Sequence, residues 1–294
     1  MTRSGFVALA GRPNAGKSTL VNRIVGGKVA IVSDKPQTTR REIRGVATGG
    51  DWQLVLVDLP GVQRPRDALT ERMQRQVERS LADADAALFV LNGEQEIGSG
   101  DRFIAEALKQ SGVPVLTVLN KVDRLDRPRT VKALAAAAEL GVPGELYPVS
   151  AKNGDGVGDV VKELIGLMPE GPFLYPPDEE SDQSIELRLA ELIREQVLLR
   201  TREEVPHSVE VEIDDELEER DDGLLVVRAR VWAETESQKG ILVGAGGRMV
   251  RAVGTAARKE IEAALGRRVH LELQVRVRKG WRRDEGLLDR LGIE

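Results

Sequence analysis

The chain has 294 residues, of which 41% are hydrophobic and 31% charged, with 43 Lys and Arg against 48 Asp and Glu. It contains no cysteine and two histidines, which excludes disulfides, thiolate metal sites, cysteine nucleophiles and a histidine-rich metal centre. No apolar run approaches the ~18 residues of a membrane span. The N-terminus lacks a signal-peptide layout, so we expect neither a span nor export.

The formal net charge of −5 is unevenly distributed and would by itself argue against a nucleic-acid partner. Residues 1–177 hold 23 basic and 21 acidic side chains, residues 178–222 hold 5 and 18, and residues 223–294 hold 15 and 9. An acidic block, which we interpret as a solvated helix face and hairpin, therefore precedes a basic segment. Such a local excess of Arg is what a phosphate backbone requires.

Composition also marks a boundary between two domains. Five Pro and Gly residues lie between positions 169 and 177, and three acidic residues follow. Proline fixes φ and removes a backbone donor, so this stretch predicts an extended linker outside both cores. We predict an N-terminal domain over 1–174, a linker over 175–182 and a C-terminal domain over 183–294.

In the N-terminal domain, short apolar runs alternate with helical spacing. The runs suited to strands lie at 6–10, 53–57, 86–91, 115–119 and 146–149, and helical stretches lie between them at 18–25, 70–82, 101–110 and 129–140. This alternation predicts an α/β domain with a mostly parallel sheet covered on both faces. In such folds ligands bind at the carboxyl ends of the strands.

A phosphate-binding loop follows the first predicted strand. Residues 11–18 match G-x-x-x-x-G-K-[ST] at every position, between a strand and a helix. Successive backbone N–H groups of such a loop surround phosphate oxygens, the lysine reaches the β and γ phosphates, and the Ser hydroxyl can bind Mg²⁺. The nucleotide-binding residues predicted here are Gly11, Arg12, Pro13, Asn14, Ala15, Gly16, Lys17, Ser18 and Thr19.

Three later segments follow strands in the same way and select the base. The first predicts a carboxylate beside Mg²⁺ and an N–H near the γ phosphate, the second a carboxylate that accepts from guanine N1 and its amine, and the third an N–H aimed at guanine O6. They consist of Asp58, Leu59, Pro60 and Gly61; of Asn120, Lys121, Val122 and Asp123; and of Ser150, Ala151 and Lys152. All four motifs in this order predict a guanine nucleotide site.

The arrangement resembles the translation-factor-related GTPases over residues ~5–168. The resemblance implies that Asn120 and Asp123 read guanine while the Lys121 stem packs over the ring, and that Asp58 holds Mg²⁺ through water. It also places a first switch at residues 37–40, whose threonine completes the Mg²⁺ shell. Thr38 and Thr39 are adjacent and the sequence leaves the choice open; we favour Thr39. Loss of the γ phosphate would release Thr39 and Gly61.

One position departs from Ras-like enzymes. Val62 follows Gly61 where those enzymes carry the glutamine that orients water, so slow intrinsic turnover is expected. Related GTPases with Asn in the phosphate loop and a Thr-Thr-Arg switch use K⁺ in place of an arginine finger. We hypothesise that Asn14 helps to bind K⁺; the alternative is that Asn14 only caps the loop. The candidate catalytic residues are Lys17, Thr39, Gly61 and Asn14.

The C-terminal domain reads as helix, hairpin, two helices and a final strand. Apolar spacing predicts a helix over 184–199, strands over 208–213 and 224–232 joined at a turn containing Asp222 and Gly223, a helix ending at Leu265 and a strand over 270–277. A G-x-x-G loop at 244–247 separates the two later helices. This order resembles an α+β type II KH domain, whose loop clamps about four nucleotides of RNA.

The candidate RNA-binding residues flank or form that loop, and the loop itself lacks the basic side chain that KH loops often carry. They are Lys239, Ile241, Val243, Gly244, Ala245, Gly246, Gly247, Arg248, Val250 and Arg251. A second basic stripe, made of Arg276, Arg278, Lys279, Arg282 and Arg283, surrounds Trp281. Two roles stay open for Trp281, which are stacking on a base and packing in the core.

Taken together, the two halves resemble the Era family of bacterial GTPases over essentially the whole chain. The motifs that carry the resemblance are the phosphate loop, the switch, the three base and Mg²⁺ segments and the KH domain. The resemblance implies a GTP-switched maturation factor of the small (30S) ribosomal subunit that binds near the 3′ end of 16S rRNA, with Mg²⁺, in the cytoplasm, and peripheral membrane association. The alternatives are an RNA-modification-associated GTPase, which would need a further catalytic domain, and an RNA-binding module with vestigial hydrolysis.

Overall fold

A computed structural model describes residues 1–61, 66–214 and 217–293 of the chain. Contacts divide it into two compact units. One contains residues 1–66 and 70–182, apart from the undescribed positions, and the other contains residues 67–69 and 183–293. Val62, the position that departs from Ras-like enzymes, lies outside the described residues.

The N-terminal unit is a six-stranded sheet in the order β2-β3-β1-β4-β5-β6, with helices on both faces. Its strands are β1 (Arg3–Ala10), β2 (Ile43–Thr48), β3 (Trp52–Asp58), β4 (Ala86–Asn92), β5 (Val115–Asn120) and β6 (Leu146–Val149), and its helices are α1 (Lys17–Val25), α2 (Ala68–Ala82), α3 (Ser99–Ser111), α4 (Arg127–Ala138) and α5 (Val157–Leu167). Two apolar clusters, one on each face, cover the sheet.

Every pairing in this sheet is parallel except that of β2 with β3. The predicted mostly parallel α/β sheet is therefore confirmed. Because β1, β3, β5 and β6 run in the same direction, the four motif segments that follow them meet at one edge of the sheet.

The segment expected to be a linker is hydrogen-bonded to the N-terminal sheet. The Gln53 side chain accepts from the backbone N–H groups of Leu174 and Tyr175 and donates to the Tyr175 carbonyl. The Val46 N–H donates to the Glu180 carbonyl at 2.8 Å, which gives the edge strand β2 a partner. Residues 175–182 are thus attached to β2 and β3 instead of lying free of both cores, because their backbone satisfies polar groups at the sheet edge.

The C-terminal unit packs helices against a mixed sheet in the order β10-β9-β7, with a short β8 beside β9. Its elements are α6 (Ile185–Arg200), α7 (Val205–Ser208), β7 (Glu210–Ile213), β8 (Glu218–Glu219), β9 (Leu225–Ala233), α8 (Glu236–Val243), α9 (Arg248–Leu265), β10 (Val269–Val277) and α10 (Glu285–Arg290). The predicted hairpin is present, since β7 and β8 both run antiparallel to β9. The first strand of the hairpin was predicted over 208–213, but β7 begins at Glu210, because the preceding residues form the short helix α7, which contains Pro206.

The acidic block and the arginines of the C-terminal sheet neutralise one another. Ion pairs join Arg228 to Glu218, Arg230 to Asp214, and Arg267 to Glu219, at 2.6–2.7 Å. These pairs link acidic side chains at and beside β7 and β8 to arginines on β9 and before β10. Much of the basic excess counted in the sequence is therefore already paired within this unit.

Trp281 packs in the core and has no access to a base. Its side chain is 0% exposed, and its Nε1–H donates to the Ser208 carbonyl at 2.9 Å. The packing role is therefore the one the structure supports. Among the described residues, no helix combines the length and apolar composition that crossing a bilayer requires.

Candidate nucleotide site and nucleic-acid interface

The phosphate loop connects β1 to α1 and includes a position, Gly16, whose backbone conformation and close surroundings require glycine. Gly16, the residue before α1, has φ +99°, and a Cβ there would lie 2.2 Å from Asn120 Nδ2. The loop therefore lies directly against the Asn120 side chain, and α1 begins at Lys17 with its N-terminus facing the cleft. This is the geometry that binds phosphate through backbone N–H groups.

Lys17 is buried beneath the loop that would hold the phosphates. Its Nζ donates to the carbonyl oxygens of Gly11 at 3.1 Å and Arg12 at 3.3 Å. Burial lowers the pKa of Lys17 below its ordinary value, while the nearby Asp58 carboxylate acts to raise it. An anion bound next to this ammonium group would stabilise it strongly, because burial disfavours the charged form and neutral carbonyls compensate only part of that cost.

Three oxygen donors from separate elements converge beside Lys17. Ser18 Oγ donates to Asp58 Oδ2 at 2.6 Å, and Thr39 Oγ1 lies 3.2 Å from the same oxygen and 3.1 Å from Ser18 Oγ. Two hydroxyls and a carboxylate are the hard ligands that Mg²⁺ prefers. Elsewhere in the described ranges no group of three or more His, Asp or Glu side chains is arranged to hold a metal ion.

The structure distinguishes the two adjacent threonines of the first switch. Thr38 is buried, and its Oγ1 donates to the Lys35 carbonyl at 2.6 Å within the same loop. Thr39 instead directs its hydroxyl towards Ser18 and Asp58. Gly61 lines the same cavity as Thr39, as do Pro13, Thr19 and Gln37.

Asn14 links the phosphate loop to the first switch. Its Nδ2 donates to the Asp34 carbonyl at 2.6 Å, and its own backbone φ is +62°. The amide nitrogen is thus engaged by protein, which leaves Oδ1 as the atom of this side chain suited to a cation. Another residue of the loop, Arg12, forms an ion pair with Asp101 at 3.0 Å, and Ala15 is buried.

The base-binding end is held together by one buried amide. Asn120 donates from Nδ2 to the Ala15 carbonyl at 2.9 Å and accepts at Oδ1 from the Ala151 N–H at 3.0 Å. The Ala151 N–H, which was predicted to face guanine O6, is therefore bonded to Asn120 in this structure. Asn120 is 2% exposed, so its position joins the first, third and fourth motif segments.

The remaining residues of the base end surround this amide. Ser150 donates to Asp123 Oδ1 at 2.7 Å, which orients the exposed carboxylate. Lys121 has φ +67°, and its ammonium group forms an ion pair with Glu94. The exposed Lys152 contributes a carbonyl that Arg23 contacts, and Leu59 and Pro60 are buried.

The G-x-x-G loop lies between α8 and α9 in a conformation that suits glycine. Gly244 has φ +69°, and a Cβ there would lie 2.9 Å from the Met249 nitrogen. The helix before it, α8, begins at a capping box formed by Thr235 and Gln238 and ends with Gly244 as its C-cap. Ala245 and Gly246 are exposed at the turn. The loop thus presents backbone rather than side chains, as a sugar–phosphate clamp requires.

A groove of about 410 Å³ runs from this loop along α9 and β10. Of the predicted RNA-binding residues, Gly247, Val250 and Arg251 line it. Ile241 is 50% exposed on α8, Val243 is half-buried, and Lys239 forms an ion pair with Glu236 at 3.7 Å. The groove is also lined by residues that were not predicted from the sequence, which are Gly254, Thr255, Arg258, His270, Leu271 and Leu273.

The missed residues share a signal that the sequence did carry. Gly254, Arg258 and Arg251 repeat at helical spacing on one face of α9, which is the face directed at the groove. Among the residues that the structure describes, Arg248, Arg251 and Arg258 form no ion pair, in contrast to the arginines of β9. The positive charge of these three side chains is therefore not offset by a carboxylate within the described residues.

The assembled nucleotide site and the groove beside G-x-x-G define a P-loop GTPase joined to a KH domain. Residues 6–121 match the 50S ribosome-binding GTPase family and residues 204–282 match the KH domain family. GTPase Era of Halothermothrix orenii is 42% identical over 293 residues, covering 99% of each chain. GTPase Era of Mycobacterium tuberculosis is 45% identical over 296 residues, covering 99% of this chain and 98% of the relative. The chain belongs to the Era family of GTPases and hydrolyses GTP.

Solved structures agree along the whole chain. An Aquifex aeolicus Era variant bound to GDP and AlF4⁻ is 34% identical and superposes with a TM-score of 0.95, covering 99% of both chains. A structure of Era with MgGDPNP and nucleotides 1506–1542 of 16S ribosomal RNA is also 34% identical, with a TM-score of 0.95, covering 100% of this chain and 99% of that chain. The predicted P-loop domain followed by a KH domain is therefore confirmed.

Proposed function

We propose that the chain couples Mg²⁺-dependent GTP hydrolysis to RNA binding near the 3′ end of 16S rRNA, as a maturation factor of the small ribosomal subunit. One observation carries this proposal. The chain superposes over its full length on an Era structure that holds both MgGDPNP and a 3′ segment of 16S rRNA, and it has an assembled nucleotide site and an open KH groove of its own.

At the phosphate end, Lys17 would contact the β and γ phosphates, and Ser18, Thr39 and Asp58 would hold Mg²⁺, which neutralises phosphate charge when bound. Thr39→Ala should lower affinity for a non-hydrolysable GTP analogue about tenfold and leave GDP affinity almost unchanged, because only GTP draws the switch onto the ion. Thr38→Ala is the matched control. If both variants behave alike, Thr39 is not the switch ligand.

At the base end, Asp123 would accept from guanine N1 and its amine while Lys121 covers the ring. Asp123→Asn should weaken GTP binding and improve binding of xanthosine triphosphate, because the side chain then donates where guanine also donates. Titration of both nucleotides against the variant and the parent protein measures the preference. An unchanged preference for GTP would contradict the guanine assignment.

We further propose that Asn14 Oδ1 contributes to a K⁺ site near the β–γ bridge. The position supports this role, because the Asn14 amide nitrogen is held by the Asp34 carbonyl and Asn14 lines the same cavity as Lys17 and Thr39. Hydrolysis should be faster in KCl than in NaCl at equal ionic strength, and Asn14→Ala should abolish that difference. Equal rates in the two salts for the parent protein would exclude the K⁺ site.

In the KH domain, backbone N–H groups of the loop would bind the sugar–phosphate backbone, and Gly247, Val250 and Arg251 would border the bases. Gly244→Asp combined with Gly247→Asp should lower affinity for an RNA of the 16S 3′ end by at least tenfold and leave hydrolysis in the RNA-free protein unchanged. A scrambled RNA of equal length is the control. Equal affinity for both RNAs would contradict the proposed target.

Nucleotide state would control this affinity through the first switch. Loss of the γ phosphate removes the contact that holds Thr39 and Gly61, so RNA binding should be tighter with a GTP analogue than with GDP. Residence in the cytoplasm and peripheral association with a membrane rest on family resemblance alone. Co-sedimentation with vesicles that contain anionic lipid tests the membrane contact, and protein that stays in the supernatant would exclude it.

A further inference from the structure

Glu94 lies at the centre of a charge cluster beside the base-binding end. Its carboxylate is 3.4 Å from Lys121 Nζ and accepts from Arg124 Nη1 at 3.2 Å with each oxygen. Lys121 and Arg124 both belong to the turn that follows β5, whereas Glu94 belongs to the loop that follows β4. The cluster therefore ties two neighbouring loops together at the point where guanine would lie.

The loop that carries Glu94 is itself fixed by hydrogen bonds. The Glu94 N–H donates to Asn92 Oδ1 at 3.0 Å, and the Gly93 N–H donates to the Asn120 carbonyl at 2.9 Å. Asn92 Nδ2 also reaches the Asn14 carbonyl at 3.4 Å, which connects this loop to the phosphate loop. The backbone around Glu94 is therefore fixed by hydrogen bonds to the end of β5 and to the phosphate loop, so Glu94 can serve as a fixed anchoring point for another side chain.

Lys121 depends on such an anchor. Its backbone has φ +67°, an uncommon conformation for a residue with a side chain, so its Cβ leaves the turn in a fixed direction. A lysine stem has four rotatable bonds, and only its two ends are constrained: the backbone at one end and the Glu94 carboxylate at the other. The position of the ammonium group thus determines where the aliphatic stem lies.

We propose that Glu94 is a positioning residue of the guanine site, which holds the Lys121 ammonium group so that the lysine stem lies flat over the base. This inference rests on the proposed role of Lys121 at the ring. Partial desolvation acts to raise the pKa of the Glu94 carboxyl, but the Arg124 hydrogen bond and the Lys121 charge outweigh it, so the pKa lies below its ordinary value. Glu94 is consequently ionised at neutral pH.

The test compares Glu94→Gln with Glu96→Gln in the full chain. Glu96 lies in the same loop, is exposed and forms no ion pair among the described residues, so it is a matched control. Glu94→Gln should raise the dissociation rate of a fluorescent GDP by about three- to fivefold, the upper part of what a half-exposed ion pair supplies. Association should be unaffected, and the effect on hydrolysis should fall on KM rather than kcat. Glu96→Gln should change none of these quantities.

Coupling to Lys121 separates positioning from a general structural effect. In a Lys121→Ala background, Glu94→Gln should add less than a 1.5-fold change, about 0.2 kcal/mol, because the anchored side chain is gone. Glu94→Asp should restore part of the affinity lost in Glu94→Gln. An equal effect of Glu94→Gln with and without Lys121 would overturn the inference. If Lys121→Ala itself leaves GDP affinity unchanged, the proposed role of Lys121 fails instead.

Discussion

Replacement of Asn120 by Ala removes the side chain that joins three motif segments of the nucleotide site. In the structure this amide donates to the Ala15 carbonyl at 2.9 Å and accepts from the Ala151 N–H at 3.0 Å. Both backbone groups are buried, so the alanine variant leaves a buried acceptor and a buried donor without their partner. Asn120→Ala should therefore destabilise the N-terminal unit even in the absence of nucleotide.

The size of the effect follows from the two lost partners. Each buried backbone group left unsatisfied costs about 1–3 kcal/mol, so the variant should lose about 2–6 kcal/mol of unfolding free energy. Domains of ordinary stability have about 5–15 kcal/mol in total, and the loss is therefore a large fraction. A loss of 2 kcal/mol corresponds to roughly a thirtyfold change in the unfolding equilibrium constant.

Native-state hydrogen exchange measures this loss in the N-terminal unit alone, which a two-unit chain requires because its overall unfolding need not be two-state. The slowest amides of β1, β5 and β6 should exchange at least thirtyfold faster in Asn120→Ala. Asn153→Ala is the control, because that exposed side chain lies in the same region and should stay within about 0.5 kcal/mol of the parent. Less than a threefold acceleration in Asn120→Ala would refute the reasoning.

Three further outcomes are expected. Gly254→Leu should fill the KH groove and lower RNA affinity at least tenfold in filter binding. The melting temperature should not fall, because Leu is more favourable than Gly in a helix by about 0.8 kcal/mol. Unchanged RNA affinity would place the RNA elsewhere. Arg258→Ala should make the plot of log affinity against log salt shallower by about 0.7, and an unchanged slope would exclude a phosphate contact. Burial lowers the pKa of Lys17 and bound phosphates should raise it again, so GTP binding should take up protons at alkaline pH. GTP affinity should accordingly fall as the pH rises through the lowered pKa of the free protein. Calorimetry in buffers of different ionisation enthalpy measures the proton uptake, and its absence would contradict this reasoning.

The nucleotide site was accessible to sequence reasoning because its residues are local. Each motif is a short run that follows a buried apolar strand, and parallel strands bring such runs to one edge whatever the loops between them do. The approach of Ser18 to Asp58 follows from the strand order, because each lies at or just after the end of a strand at the same sheet edge. Thr39 lies in the loop before β2, and its place in the site was implied by the family resemblance alone. Thr38 and Thr39 differ only in which way their hydroxyls turn, and adjacent positions in a loop without regular periodicity do not encode that direction.

Contacts between distant segments account for what the sequence did not reveal. The edge strand β2 includes Arg44 and Gly45 and lacks a clean apolar alternation, so it carries a weak strand signal. Nothing local marks Trp281 as buried, since five basic residues surround it. Arg258 and His270 reach the same groove from a helix and a strand, and only the packing of α9 on β10 places them together.

The attachment of residues 174–182 to β2 and β3 has a consequence for the order in which the chain becomes a folded protein. Gln53 finds its backbone partners at Leu174 and Tyr175, more than a hundred residues later, and Val46 finds its partner at Glu180. A nascent or truncated chain that ends at residue 174 would therefore present an unprotected strand edge, which is a template for aggregation. The sheet edge of the N-terminal unit is covered only by the residues that immediately precede α6. The N-terminal unit can therefore complete its fold only when synthesis has reached the start of the KH domain.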